Sequence, residues 1–316
     1  MYTGHRENES GVEPLTAFLR RLPIPAGCVA PGLIGLGTLL RTYGLSWLLL
    51  FGGLAALLLL LVIAKLCLPG EAKKACGDLT GLSLLAGSSM ALMLLAAQGK
   101  TALALPGAGL LWGLGLLAHL LLLAAFSRAL IKSRPGLHAV RGCWLLVYVG
   151  IAAAAISAPA FSMQTLGRIL LIPAALGALV LLPLVYAADR NAADMPPAQR
   201  PLFCISAAPV SIWLVGWLSV TASPPKALTA VLTILSVLLY VPALLRCGKG
   251  LRGPFYPSYA AYTFPFIISA TALKRGFAVL GLGGLWQLLP GLETAVAAAL
   301  CCWVLLRYAR AFLPKR

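Results

Sequence analysis

The sequence predicts an all-α integral membrane protein with ten transmembrane helices, and three observations carry that expectation. Hydrophobic residues make up 60% of the 316, charged residues only 10%, and mean hydropathy is +0.93, far from the balance of a soluble domain. Apolar stretches long enough to cross a hydrocarbon core of about 30 Å recur along the whole chain. The loops between them alternate between rich and poor in Lys and Arg, as the positive-inside rule requires of a polytopic protein.

Cut where charges or Gly and Pro clusters interrupt them, the stretches lie at about 24–40, 45–68, 78–98, 104–127, 138–160, 165–188, 201–221, 226–245, 257–273 and 286–312. Ahead of them, residues 1–23 carry Arg6, Glu7, Glu9, Glu13, Arg20 and Arg21 and lack the continuous apolar core of a secretory signal. The expectation is a cytoplasmic N-terminal segment at 1–23 and one membrane domain at 24–313. With the N-terminus inside, 19 of the 25 Lys and Arg fall on the cytoplasmic side. Only Arg41, Lys100, Arg168, Lys226, Lys274 and Arg275 fall outside. Both termini are therefore expected in the cytoplasm, beneath a cell membrane such as the bacterial inner membrane. A missed or invented helix would scramble the alternation. The net charge of +17 thus reads as a topology signal, and no nucleic-acid partner is expected.

Odd and even stretches differ in composition. The even ones are Leu-rich rods, such as LLLFGGLAALLLLLVIA from Leu48 and LTAVLTILSVLLYVPALL from Leu228, suited to facing lipid. The odd ones are rich in small residues, hydroxyls and proline: IPAGCVAPGLIGLG from Ile24, DLTGLSLLAGSSMALM from Asp78, YVGIAAAAISAPAF from Tyr148, CISAAPVSIWLVGWLS from Cys204 and PSYAAYTFPFIISATA from Pro257. Small residues let helices approach closely, and polar or broken backbone at depth is tolerated where it faces protein or water. The pattern predicts five helical hairpins, with an inner ring of the five odd helices around a pore and an outer ring of the five even helices.

The eight acids, Glu7, Glu9, Glu13, Glu71, Asp78, Asp189, Asp194 and Glu293, leave every span centre without a carboxylate. Cation-coupled and proton-coupled transporters usually keep such a group at depth. A path without one favours small anions, which would meet hydroxyls, exposed backbone N–H groups and partial dipoles. Pro25, Pro31, Pro159, Pro209 and Pro265 stand in the odd spans and are candidate pore-lining kinks, since proline frees backbone polar groups. Pro173, Pro183 and Pro242 in even spans keep the ordinary membrane-helix explanation equally open.

Asp78, opening the third span, fits an N-cap. His119 in the fourth reads as a structural hydrogen-bonding group, and Cys28, Cys143, Cys204, Cys301 and Cys302 mostly as small core residues without metal-ligand spacing. No nucleophile–base pair, metal constellation or nucleotide-binding glycine loop is present. Neither an enzyme nor a cofactor is expected.

Four odd spans carry specific wording. LPIPAGCVAPGLIGLGTLL from Leu22, YVGIAAAAISAPAF from Tyr148, RPLFCISAAPVSIWLVGWLS from Arg200 and FYPSYAAYTFPFIISATAL from Phe255 resemble the tellurite-resistance/dicarboxylate transporter family. That family includes plant guard-cell slow anion channels, the bacterial tellurite-resistance protein and fungal sulfite and malate transporters. The resemblance runs in order across nearly the whole chain, and the third span matches it only loosely. It implies a homotrimer with a pore in each protomer, and a phenylalanine, here Phe264, that projects into the pore as its gate. By its residues alone Phe264, beside Pro265, reads as a packing aromatic. The implied function is passage of small anions of the chloride, nitrate and sulfite class. The alternative is a carrier for a C4-dicarboxylate such as malate, or for tellurite oxyanion, with or without a linked proton.

Overall fold

Leu-rich stretches form unbroken helices here, whereas four of the five small-residue stretches do not. The computed structural model describes residues 12–190 and 195–312. In chain order the helices are α1 (Val12–Arg21), α2 (Val29–Leu40), α3 (Leu45–Cys67), α4 (Glu71–Ala75), α5 (Leu79–Leu103), α6 (Ala108–Ser133), α7 (Trp144–Tyr148), α8 (Ala152–Ser157), α9 (Gln164–Arg190), α10 (Ala208–Val220), α11 (Lys226–Gly250), α12 (Phe264–Leu280) and α13 (Leu288–Phe312). Helices α3, α6, α9, α11 and α13 run 23 to 27 residues without a break. At 1.5 Å per residue each is about 35–40 Å long, enough to cross a bilayer. Pro173, Pro183 and Pro242 sit inside α9 and α11 without interrupting them.

Among the described residues, nine helices are long and apolar enough to span a membrane. The tenth expected stretch, 138–160, is not one helix. It comprises α7, a turn through Val149 and Gly150, α8 and a 3-10 turn over Ala158–Phe161. Apolarity continues through the break, so hydropathy does not register it. Gly150 is required there, because a Cβ would sit 2.6 Å from Met90 Sδ and 3.1 Å from the His119 ring.

The other odd spans, α5 excepted, also start in 3-10 geometry: Ile24–Cys28 before α2, Pro197–Ala207 before α10 and Pro257–Tyr262 before α12. Helix α5 is continuous, and its Asp78 cap accepts a hydrogen bond from Gly81 N at 2.6 Å. Helix α12 runs seven residues past the expected boundary at 273, closing with Gly281 at φ +74° and Leu282 N donating to Phe277 O at 2.9 Å. This C-terminal motif satisfies carbonyls the helix leaves open. It puts Lys274 and Arg275 inside a spanning helix, where a loop was expected.

Burial separates the two sets. In the odd spans that form one helical run, 61–78% of the core window is buried, against 28–33% in the even ones. Leu60, Leu121, Leu179 and Leu238 of the even helices are largely exposed, as suits surface in contact with lipid. The buried interior is small-residue packing. Ala26, Ala30, Ala86, Ala152, Ala153, Ala154, Ala155, Ala270 and Ala272 are fully enclosed. Helix α2 packs on α3, α5 and α12, α5 on α6, and α10 on α8, α9, α11 and α12.

Residues 1–11 of the expected N-terminal segment lie outside the described residues, as do Asp194 and the tail from 313. Helix α1 lies against α3, with Leu19 and Leu22 buried. Lys65, at the end of α3, donates to Arg20 O at 2.9 Å and Leu19 O at 3.3 Å and pairs with Glu71 Oε2 at 2.6 Å. A cation at the carbonyl end of α1 complements the helix dipole. The Lys65 hydrogen bond holds the Glu71 carboxyl below the usual carboxylate range.

Candidate functional site

Two cavities meet at one side chain. The larger, about 330 Å³, reaches Arg41 and Arg275. The smaller, about 20 Å³, reaches Pro25, Leu202 and Ser258. Among the described residues Phe264 alone is common to both linings, and it is 4% exposed. Every odd segment contributes to each cavity, including the broken one through Leu146, Ile156 and Ser157. Leu48 of α3 is the single contribution from an even helix.

Local sequence explains how Phe264 comes to stand there. The 3-10 run Pro257–Tyr262 ends at Thr263, whose Oγ1 donates to Ala260 O at 2.7 Å. Phe264 then opens α12, with Pro265 in the first turn, where its missing N–H has no intrahelical partner to lose. Helix α2 lies directly against this junction. A Cβ on Gly32 would meet Thr263 Cβ and Oγ1 at 2.8 Å and Phe264 N at 3.0 Å. Only glycine permits that approach. From Phe264, the residues at i+4, i+7 and i+11, namely Ile268, Thr271 and Arg275, share its helix face and line the larger cavity.

The five prolines separate. Pro25, Pro31 and Pro265 line the smaller cavity and Pro159 the larger, while Pro209 is buried at the start of α10 and lines neither. Pro25, Pro159, Pro209 and Pro265 occupy the first two positions of a helical segment, and Pro31 is the third residue of α2. Pro31, Pro159 and Pro209 stand where one helical geometry passes directly into another, and Pro25 and Pro265 where a helical segment starts.

Hydroxyl chemistry differs from what residue types suggest. Thr38, Thr101, Ser157 and Thr271 all line the larger cavity, and each donates its one proton to a carbonyl a turn earlier, at 2.7–2.9 Å. A hydroxyl that donates to its own helix offers an anion nothing. The Gln98 amide donates one of its two protons to Leu48 O at 2.9 Å. Among the described residues the donors left over are the guanidinium of Arg275, exposed Arg41 and the second Gln98 N–H in the larger cavity, and in the smaller one Ser258, whose buried Oγ has no partner. Sequence reading passed over Ser258 and assigned Arg275 to a loop. The i, i+4, i+7, i+11 stripe counted from Phe264 was the signal available for Arg275.

His119 is fully buried, with Nδ1 2.8 Å from Ser89 Oγ and Nε2 3.0 Å from Val147 O. A carbonyl only accepts, so Nε2 carries a proton, and the ring ties α5, α6 and α7 together. Cys28, Cys143, Cys204, Cys247 and Cys301 are buried; Cys302, expected with them, is exposed on α13.

A family model for voltage-dependent anion channels (SLAC1) matches residues 26–310. The chain belongs to this family. A search of curated proteins finds no match. Membership and the helical membrane architecture together support passage of small anions, and the family's members are channels and transporters, not enzymes. Within this anion-channel fold, the described acids keep clear of both cavities: Glu71 pairs with Lys65, Asp189 with Arg246, Asp78 caps α5 and Glu293 is buried in α13.

Proposed function

We propose that residues 24–313 form a single domain that conducts small anions of the chloride, nitrate and sulfite class, through a pore in each protomer that follows the two cavities and is closed by Phe264. The observation that carries this reading is the membership of Phe264 alone in both linings. At about 20 Å³ the smaller cavity has room for about one water molecule, which fits a shut state. The pore is ringed by the five odd segments, with 144–161 counted as the fifth of ten crossings, and the five even helices enclose them as hairpin partners. Pro25, Pro31, Pro159 and Pro265 shape the lining where helical segments begin.

Residues 1–23 lie in the cytoplasm with the C-terminus, in a bacterial inner membrane, and three copies assemble with their even-helix surfaces in contact. The charge distribution supports the orientation, and family resemblance supports the trimer. Anion currents and radiolabelled malate uptake, measured on the same liposomes with and without a pH gradient, test the function. Currents carried by chloride or nitrate, independent of the gradient, are expected. Gradient-driven malate or tellurite accumulation without current would establish the carrier in its place.

A further inference from the structure

We propose that Arg275 forms an anion-binding site in the larger cavity, ahead of the Phe264 constriction, whose preferred ligand is a planar oxyanion of the nitrate or carboxylate class. The proposal rests on reading that cavity as part of the pore. Arg275 stands on the Phe264 face of α12, eleven residues on, or about 16 Å along the axis by helix rise. Its Nη1 donates to Ser219 Oγ at 2.8 Å and to Val215 O at 3.3 Å, both on α10. Those two acceptors, themselves joined by the Ser219 hydroxyl donating to Val215 O at 2.8 Å, hold Nη1 against α10. The opposite edge, Nε–H with one Nη2–H, makes no hydrogen bond among the described residues. That edge presents two parallel donors, a spacing that matches two oxygens of one planar anion.

Charge bookkeeping points the same way. None of the described acids pairs with Arg275, whose side chain is half-buried in a membrane-spanning helix. A cation in that setting needs a counter-charge, and a mobile anion in the 330 Å³ cavity can supply it. The four hydroxyls of the same lining have spent their protons on backbone carbonyls, and the one free Gln98 N–H is a single neutral donor, so the paired, charged donors there are those of the guanidinium edge. Arg41, exposed at the same cavity, adds attraction without a fixed geometry.

The test is nitrate-dependent thermal stabilisation of the purified full-length protein at constant ionic strength, beside chloride, for wild type, Arg275→Gln, Arg275→Lys and, as a surface-charge control, Lys226→Gln. Wild type and Lys226→Gln should respond to nitrate at lower concentration than to chloride. Arg275→Gln should raise the half-saturating nitrate concentration roughly tenfold or more, through loss of the bidentate charge-assisted edge. Arg275→Lys should keep a response to both anions but lose the preference for nitrate, because an ammonium is a point charge. An equal nitrate response in wild type and Arg275→Gln, or none in wild type, overturns the proposal. Should Arg275→Gln not fold, phenylglyoxal labelling of Arg275 in wild type decides: slowing by nitrate is expected, and labelling indifferent to nitrate overturns it. Neither readout needs current. A conducting Phe264→Ala protein without nitrate protection sinks the site alone, and a nitrate site beside a silent Phe264→Ala protein sinks the gate alone.

Discussion

Gly32→Ala tests the contact that seats Phe264. The added methyl would sit 2.8 Å from Thr263 Cβ and Oγ1 and 3.0 Å from Phe264 N. The first distance is about 0.6 Å inside ordinary van der Waals contact, and the obstacles include backbone, so α2 must move away from the start of α12. Overpacking of this kind costs about 1–3 kcal/mol, and on the soluble-protein scale that lowers melting by several degrees, roughly 2–4 °C per kcal/mol. Gly35→Ala meets only Ile267 side-chain atoms, the nearest at 2.8 Å, and should cost less, because Ile267 can adjust. Gly53→Ala meets nothing within 4 Å and should be neutral or stabilising. Fluorescence-monitored melting of the three variants in one detergent should give the order Gly53→Ala above Gly35→Ala above Gly32→Ala. Equal melting of Gly32→Ala and Gly53→Ala would refute the close approach and the seating of Phe264 derived from it.

Glu71→Gln should loosen α1 from α3, read as faster amide exchange over residues 19–22. Because Lys65 depresses the Glu71 pKa, wild-type protection there should hold above the ordinary carboxylate value and fall away as pH drops through the lowered one. A pH-independent protection factor, with the intrinsic pH dependence of exchange divided out, would exclude the pair as the fastener. Reporter fusions after Arg316 and within 41–45 should report cytoplasm and periplasm respectively; a periplasmic C-terminus would make the number of crossings odd. Mass measurement in mild detergent should give a trimer, and only monomers and dimers would count against even-helix surfaces meeting between protomers.

The sequence made the even helices legible because Leu runs are both their composition and their structure, and Asp78 and His119 took the bonding roles their residue types suggested. It hid the break in 144–161, since WLLVYV before Gly150 and IAAAAIS after it are both apolar. It misplaced Arg275 because a hydropathy boundary falls at the first charge, while the helix ends at Gly281, where the backbone turns left-handed. Hydroxyl residues were visible, but not whether their protons were free; Thr38 and Thr271 turn theirs to the backbone and Ser258 does not. Phe264 was singled out by resemblance alone, since Tyr262, Phe264 and Phe266 of the same run are all buried aromatics. Only three-dimensional placement sets Phe264 apart, on the wall of both cavities.

The most direct test of the account is the anion conductance of Phe264→Ala, with melting temperature taken on the same preparation. A ring that blocks an apolar constriction opposes ions by bulk and by dewetting. Its truncation should raise conductance by a large factor, leave selectivity among anions nearly unchanged and keep the protein folded. A ring that only packs should instead cost about 3–5 kcal/mol when removed, giving a poorly folded protein without current. A well-folded Phe264→Ala protein with wild-type conductance would contradict the gate and the pore drawn through it.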